Sequence, residues 1–269
     1  MDLSLLIADS VFLAQAVKND EFCSSQHYFG YARLLIDEVQ PEKALALLEL
    51  MEARSDVTSA DDIVWLELFI TALIEDGRRS EAMEKARDAF SHTCDTRFYR
   101  LYMKAGGDPD KDTPDFIRTA RANGLRTYLN FAEDLTRFDL ISDLLIASSS
   151  AEIETAFAYN SSSGLRTLSA ALYQHGYAHA AVILRRFLVE SYINKAQSKY
   201  YAYAASDMKK AIDYSEGLEE SAQFAGTLNY LRALYAQHKR KSALWQTMAT
   251  KIKGLSAVNN QWCYQETPL

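Results

Sequence analysis

The chain has 269 residues, 48% apolar and 24% charged, with a net charge of −7. Its 10 Gly and 4 Pro are less than half the roughly 12% combined share of an average protein, which excludes collagen-like, low-complexity and turn-dense all-β chains. The charge is uneven: residues 1–184 hold 17 Lys and Arg against 29 Asp and Glu, whereas residues 185–253 hold 12 against 6.

Apolar residues recur at three and four spacing through most of the chain, the period of a helix with one buried face. The first such segment, 3–17, is an expected amphipathic helix and not a secretory leader, since Asp2 stands where a leader needs positive charge and Asp9 and Ser10 interrupt its apolar run. Helices are expected next over 24–38, 41–54, 61–76, 79–92 and 95–105. Pro41 suits a first helical turn and Glu42 the positive end of the helix dipole. Gly106-Gly107-Asp108-Pro109-Asp110-Lys111-Asp112 reads as a loop, with the next helix starting at the cap Thr113 before Pro114. Helices over 113–123, 125–135, 137–147 and 151–158 follow, broken by Ser148–Ser150 and again by Asn160–Gly164. Helices over 164–175, 178–198, 201–215, 219–237 and 240–253 complete the series. No segment alternates like a strand, so no sheet is expected. The tail 254–269 reads as irregular, with Trp262 and Tyr264 turned back onto the body or onto a partner. This gives an N-terminal lobe 1–105, a loop-interrupted section 106–164, a C-terminal lobe 165–253 and the tail.

Three hairpins can be superimposed on one another. The first runs Tyr28, Tyr31, Ala32, Leu35, then Ala44, Leu48, Met51; the second Leu66, Phe69, Ile70, Leu73, Gly77, then Ala82, Ala86, Ala89. The third runs Leu165, Leu168, Ser169, Leu172, Gly176, then Ala181, Arg185, Leu188. Small residues let crossing helices approach, and the Gly permits the left-handed turn that closes each pair. Val39 stands where the first hairpin should have Gly, Ile70 where a small residue is usual, and Arg185 where an aromatic or Ala is usual. The pattern resembles tetratricopeptide repeats, which implies an all-α fold: a right-handed α-solenoid of antiparallel hairpins, in one array or two lobes.

The C-terminal segment carries a second resemblance. Lys199-Tyr200-Tyr201-Ala202-Tyr203-Ala204-Ala205, Met208, Leu231-Arg232, His238-Lys239-Arg240-Lys241 and Trp245 are similar to the end of a bacterial family of unknown function. A like segment accompanies some SWIM zinc-finger proteins, whose closely spaced Cys and His this chain lacks. The match covers residues 178–250 and implies fold more than activity.

Motifs for nucleotide, phosphate, hydrolase or zinc chemistry are missing from the sequence. Cys23, Cys94 and Cys263 show no paired spacing, which fits a reducing cytoplasm better than a disulfide scaffold. Cys23 and His27 fall at i, i+4, and His175 and His179 flank Gly176; either pair lacks the further ligands a metal or an activated thiolate needs. Asp139 and Asp143 share a helix face with no accompanying Glu-x-x-His, and Glu152 and Glu154 do not face each other. No catalytic residue, cofactor or metal ligand is therefore assigned. The best candidate surface is basic and aromatic: Arg232, His238, Lys239, Arg240, Lys241 and Trp245. Cations on one face suit phosphates, and aromatics suit stacked bases. Tyr200, Tyr201 and Tyr203 cannot all point one way on a helix, so at least one should be exposed. The expected function is a non-enzymatic interaction scaffold holding a protein or peptide partner. The alternatives are a nucleic-acid-associated module using the basic face, and an enzyme with a site built across hairpins. No run reaches the ~18 apolar residues of a membrane span, so a soluble cytoplasmic protein is expected.

Overall fold

A computed structural model describes residues 25–53, 62–158, 160–221, 224–259 and 261–269. The expected helix 3–17 and Cys23 lie outside the described residues. The chain divides into two compact units, Met1–Phe131 and Ala132–Leu269. The first contains α1 (Ser25–Asp37), α2 (Pro41–Ala53), α3 (Asp62–Glu75), α4 (Arg79–Thr93), α5 (Thr96–Ala105) and α6 (Pro109–Ala122). Helix α7 (Leu125–Asp134) carries the division between the units. The second contains α8 (Phe138–Ala147), α9 (Ser150–Phe157), α10 (Ser162–Gln174) and α11 (Ala178–Asn194). A 3-10 turn at Ser198–Tyr200, α12 (Tyr201–Tyr214), α13 (Thr227–His238) and α14 (Ser242–Lys251) complete its helical part. Among the described residues no helix is long and apolar enough to cross a membrane.

In the first unit α1 packs on α2, α2 on α3, α3 on α4 and α4 on α5, and in the second α10 packs on α11 and α11 on α12, because short turns fold each helix back on the one before. The turns share one hydrogen-bond pattern. Gln40 N–H donates to the Leu35 carbonyl and Val39 N–H to that of Ile36. The same two bonds recur from Arg78 to Leu73 with Gly77, from Tyr177 to Leu172 with Gly176, and from Arg137 to Ala132 with Thr136. In each the middle residue has positive φ: 58° at Val39, 80° at Gly77, 88° at Gly176 and 54° at Thr136. This closure satisfies carbonyls left open at the end of a helix. The α5–α6 turn closes with the same bonds at Gly106 (φ 122°), and so does the α7–α8 turn, which the sequence pattern does not reveal, because Thr136 replaces Gly and Ile141 takes the position of Ala44, Ala82 and Ala181. All four of those positions are fully buried.

The repeat anchors form the cores. Ala32, Leu48, Met51, Ile70, Leu73, Ala82 and Ala86 expose no surface in the first unit. An aromatic cluster closes its other end, with Phe90 on Phe116 at 4.8 Å and on Phe131 at 4.9 Å. The second unit is centred on Val189, Ile193, Met208, Leu231, Leu244, Trp245 and Met248. Each large side chain removed from water contributes about 1.5–3 kcal/mol before entropy is set against it.

Several boundaries differ from expectation. Helix α6 begins at Pro109, not at 113, because Asp108 accepts from the Asp110 and Lys111 N–H groups and Pro109 suits the first turn. Thr113 and Pro114 therefore lie inside the helix. Helix α11 stops at Asn194, since Ala196 adopts φ 53°. Helix α13 starts at Thr227, after Gly217 (φ 80°) and an isolated bridge between Ser221 and Phe224.

The largest correction concerns the tail. Residues expected to be irregular form an antiparallel sheet of β1 (Leu255–Val258), β2 (Gln261–Tyr264) and β3 (Thr267–Pro268). Leu255 pairs with Tyr264, and Tyr264 with Thr267 across a two-residue turn. The turn residues Gln265 and Glu266 both have positive φ, at 47° and 65°. Such turns usually announce themselves with Asn-Gly or Asp-Gly, and here no Gly is present to signal them. Of the two placements expected for Trp262 and Tyr264, onto the body or onto a partner, the structure shows the first: both pack against the core of the second unit.

Candidate functional site: a groove along helix 11

Helix α11 carries two consecutive arginines in the middle of an apolar run, Ala-Val-Ile-Leu-Arg185-Arg186-Phe-Leu-Val. Both are buried, at 6% and 8% exposure. Successive helical residues diverge by about 100°, so the two side chains enter different surroundings.

Arg185 is fully matched. Its Nη1 donates to Asp207 Oδ1 at 2.8 Å, its Nε to the Ser169 hydroxyl at 3.1 Å and its Nη2 to the Arg166 carbonyl at 3.1 Å. Asp207, on α12, is 1% exposed and also receives Arg166, through Nη2 at 2.7 Å and Nε at 3.0 Å. The departure from the repeat pattern at Arg185 therefore has a cause: a buried carboxylate 22 residues downstream answers it. Ser169 fits the same network by donating to the Ala181 carbonyl at 3.0 Å.

Arg186 is not matched. Its Nη1 donates to the Ala225 carbonyl at 2.7 Å, and its guanidinium lies over the rings of Tyr230 at 4.3 Å and Phe224 at 4.8 Å. Its Nε is buried without a partner. Its Nη2 makes no hydrogen bond to the described residues. No carboxylate among the described residues pairs with it. Burial lowers its pKa, and Tyr230, Glu190 and Glu220 nearby offset part of that. Glu190, one helical turn on, accepts the Tyr230 hydroxyl at 2.9 Å. Burial, reinforced by that carboxylate, raises the Tyr230 pKa well above the usual phenol value.

These groups line a cavity of about 230 Å³ whose apolar walls are Ile153, Ile183 and Phe187, with Arg186, Glu190 and Tyr230 as its polar members. A second cavity of about 300 Å³ adjoins it, sharing Ser150, Phe187 and Glu190 and reaching Asn194 and Lys195. Together they form a groove along α11, walled on one side by α9. Helix α9 is held by a capping box: the Ser149 hydroxyl accepts the Glu152 N–H, and the Glu152 carboxylate accepts the Ser149 N–H.

The basic run expected to meet a partner is largely occupied within the chain. Trp245 is fully buried, its indole N–H donating to the His238 carbonyl at 3.1 Å, and so offers no surface for stacking. Lys241 donates to the Ile193 carbonyl at 3.0 Å, at the negative end of α11. Arg232 donates to the Pro268 carbonyl at 3.1 Å and ties the sheet to α13. His238 is held below its usual pKa by burial and by Lys241. Lys239 and Arg240 are exposed. The sequence pairs are also separated: His175 lies against Phe138, the rings tilted by 36° at 4.5 Å, while His179 meets the edge of Phe224 at 4.7 Å. Among the described residues no three His, Cys, Asp or Glu side chains gather as a metal set. Tyr203 is the exposed member of its tyrosine group, at 51%, whereas Tyr201 is buried. Sequence reasoning passed over Arg186 and Glu190, and took Tyr230 only as an aromatic interleaved with the basic run; the available signal was a charged pair inside the apolar stretch of α11.

Comparison with known proteins adds a family and no activity. No curated protein and no solved structure matches the chain. A family model described as a family of unknown function, DUF6880, matches residues 12–247. The chain belongs to that family.

Proposed function

We propose that this protein is a cytoplasmic, non-enzymatic scaffold built from tetratricopeptide-like hairpins, and that the groove along α11 holds a segment of a partner protein. One observation carries the reading: a groove with apolar walls contains a buried arginine that no carboxylate of the described residues meets in a direct ion pair and whose Nε has no partner. Buried cations are ordinarily paired, and Arg185 beside it is. The C-terminal sheet packs on the core and leaves the groove open, since none of its residues lines either cavity. The recurring closure at Val39, Gly77, Thr136 and Gly176 supports a repeat architecture.

The test is site-specific photocrosslinking in cells, with p-benzoylphenylalanine in place of Ser191 in the groove and, as control, in place of exposed Ala243. Discrete protein adducts at 191, absent at 243 and lost when Ser150→Trp fills the groove, are the expected result. No groove-specific protein adduct would remove the reading.

A second reading, nucleic-acid association, shifts away from Trp245 to the face where Tyr192 stacks on Tyr203 at 5.4 Å with Lys195, Lys199 and Arg166 around it. It requires binding of single-stranded oligonucleotides that weakens steeply with salt and with Tyr203→Ala.

A further inference from the structure

We propose that Arg186 receives the terminal carboxylate of a peptide chain, so that the groove along α11 reads the C-terminal end of a partner. This rests on the scaffold reading above and specifies its ligand. The charge argument comes first. Arg186 is 8% exposed and lines the cavity; it spends one N–H group on the Ala225 carbonyl and leaves Nε buried without a partner. Glu190 and Glu220 act on it through space, but no carboxylate of the described residues hydrogen-bonds to it. A carboxylate entering the cavity would complete the pattern already seen at Arg185 and Asp207, a guanidinium clasped between a carboxylate and a main-chain carbonyl.

Glu190 then narrows the choice of anion. Its carboxylate lines the same cavity and accepts only the Tyr230 hydroxyl within the described residues. A phosphate group bearing two charges would be repelled there. A ligand that places a single negative charge at Arg186 and an N–H toward Glu190 satisfies both, and the last residue of a peptide has both groups, on either side of one Cα. Its side chain would meet Ile153, Ile183 and Phe187, so an apolar terminal residue fits. The adjoining cavity extends the groove past Glu190 to Asn194 and Lys195, giving the preceding residues a path. That length favours a chain end over a free amino acid, which would fill the first cavity alone.

The experiment measures fluorescence anisotropy on the full chain. The probes are N-terminally dye-labelled hexapeptides Gly-Ser-Gly-Ser-Ala-Leu and Gly-Ser-Gly-Ser-Ala-Phe, each made as the free acid and as the C-terminal amide. Free leucine is the unlabelled competitor. The expected result is binding of the acids, at least tenfold weaker binding of the amides, and a similar loss in Arg186→Met. Because Arg186→Met removes an unmatched buried charge, its melting temperature should equal or exceed that of the wild type, which separates lost binding from lost fold. Ser150→Trp, which narrows the groove without touching Arg186, should weaken both acids. Equal binding of acid and amide overturns the inference while leaving the scaffold reading in place. Competition by free leucine at the peptides' own concentration overturns it in favour of an amino-acid pocket. Binding of neither acid overturns it as well, and the crosslinking at position 191 then decides separately whether the scaffold reading survives.

Discussion

Asp207 is the buried carboxylate that holds two arginines of the second unit. Its carboxylate is 2% exposed and sits between two guanidiniums, of which Arg185 is 8% exposed and Arg166 30%. Asp207→Ala removes every charged acceptor of that cluster at once. Arg166 can turn toward water, so its share of the loss is small. Arg185 cannot, and it keeps only the Ser169 hydroxyl and the Arg166 carbonyl. Removing one partner of a buried pair costs about 3–5 kcal/mol, mainly because the other charge stays buried and unanswered. Urea unfolding followed by far-UV circular dichroism should show a loss in that range at unchanged m-value. The loss should persist in 1 M salt, since buried pairs are screened little. The paired replacement Arg185→Met with Asp207→Leu should recover to within about 1 kcal/mol of wild type, because the desolvation cost leaves with the charges. A loss below about 1 kcal/mol for Asp207→Ala, or one abolished by salt, would refute the reasoning.

Three further outcomes are expected. Val39 is 81% exposed and holds φ 58°, a conformation unfavourable for a β-branched residue; Val39→Gly should therefore stabilise the first unit by about 1 kcal/mol in urea unfolding, the strain relieved exceeding the added chain entropy. Trp245→Ala should cost about 3–5 kcal/mol and weaken near-UV dichroism, since a fully buried ring and its bond to the His238 carbonyl are both lost; a surface-contact role would leave stability unchanged. Asp95 caps α5 through the Arg97 N–H, and its hydrogen bonds to the Arg97 side chain hold its carboxyl below the usual value. A depressed folded pKa contributes stability above the unfolded value near ~3.9 and loses it as pH falls through the folded one, so Asp95→Ala should cost about 1 kcal/mol at pH 7 and progressively less in acid, read from urea midpoints between pH 7 and pH 3.

What the sequence determined by itself was local in origin. Helical periodicity placed the helices from Ser25 onward, mostly to within two residues, because each buries a stripe that its own spacing reveals. The three hairpins with matching anchors were also legible, since small residues and Gly77 and Gly176 act within one turn of the chain. Signals that departed from the usual residue types failed. Thr136 hid a hairpin closed by the same bonds as the others, and Gln265-Glu266 hid a strand turn. Tertiary structure alone decided the rest. The basic run 238–241 looked like a surface for a partner, yet the fold sets Trp245 in the core and commits Lys241 to the end of α11. Arg185 and Arg186 are adjacent and chemically identical in the sequence. A helix turns by about 100° per residue, and that turn gives one of them Asp207 and leaves the other facing an open cavity, because a buried charge takes its character from partners tens of residues away.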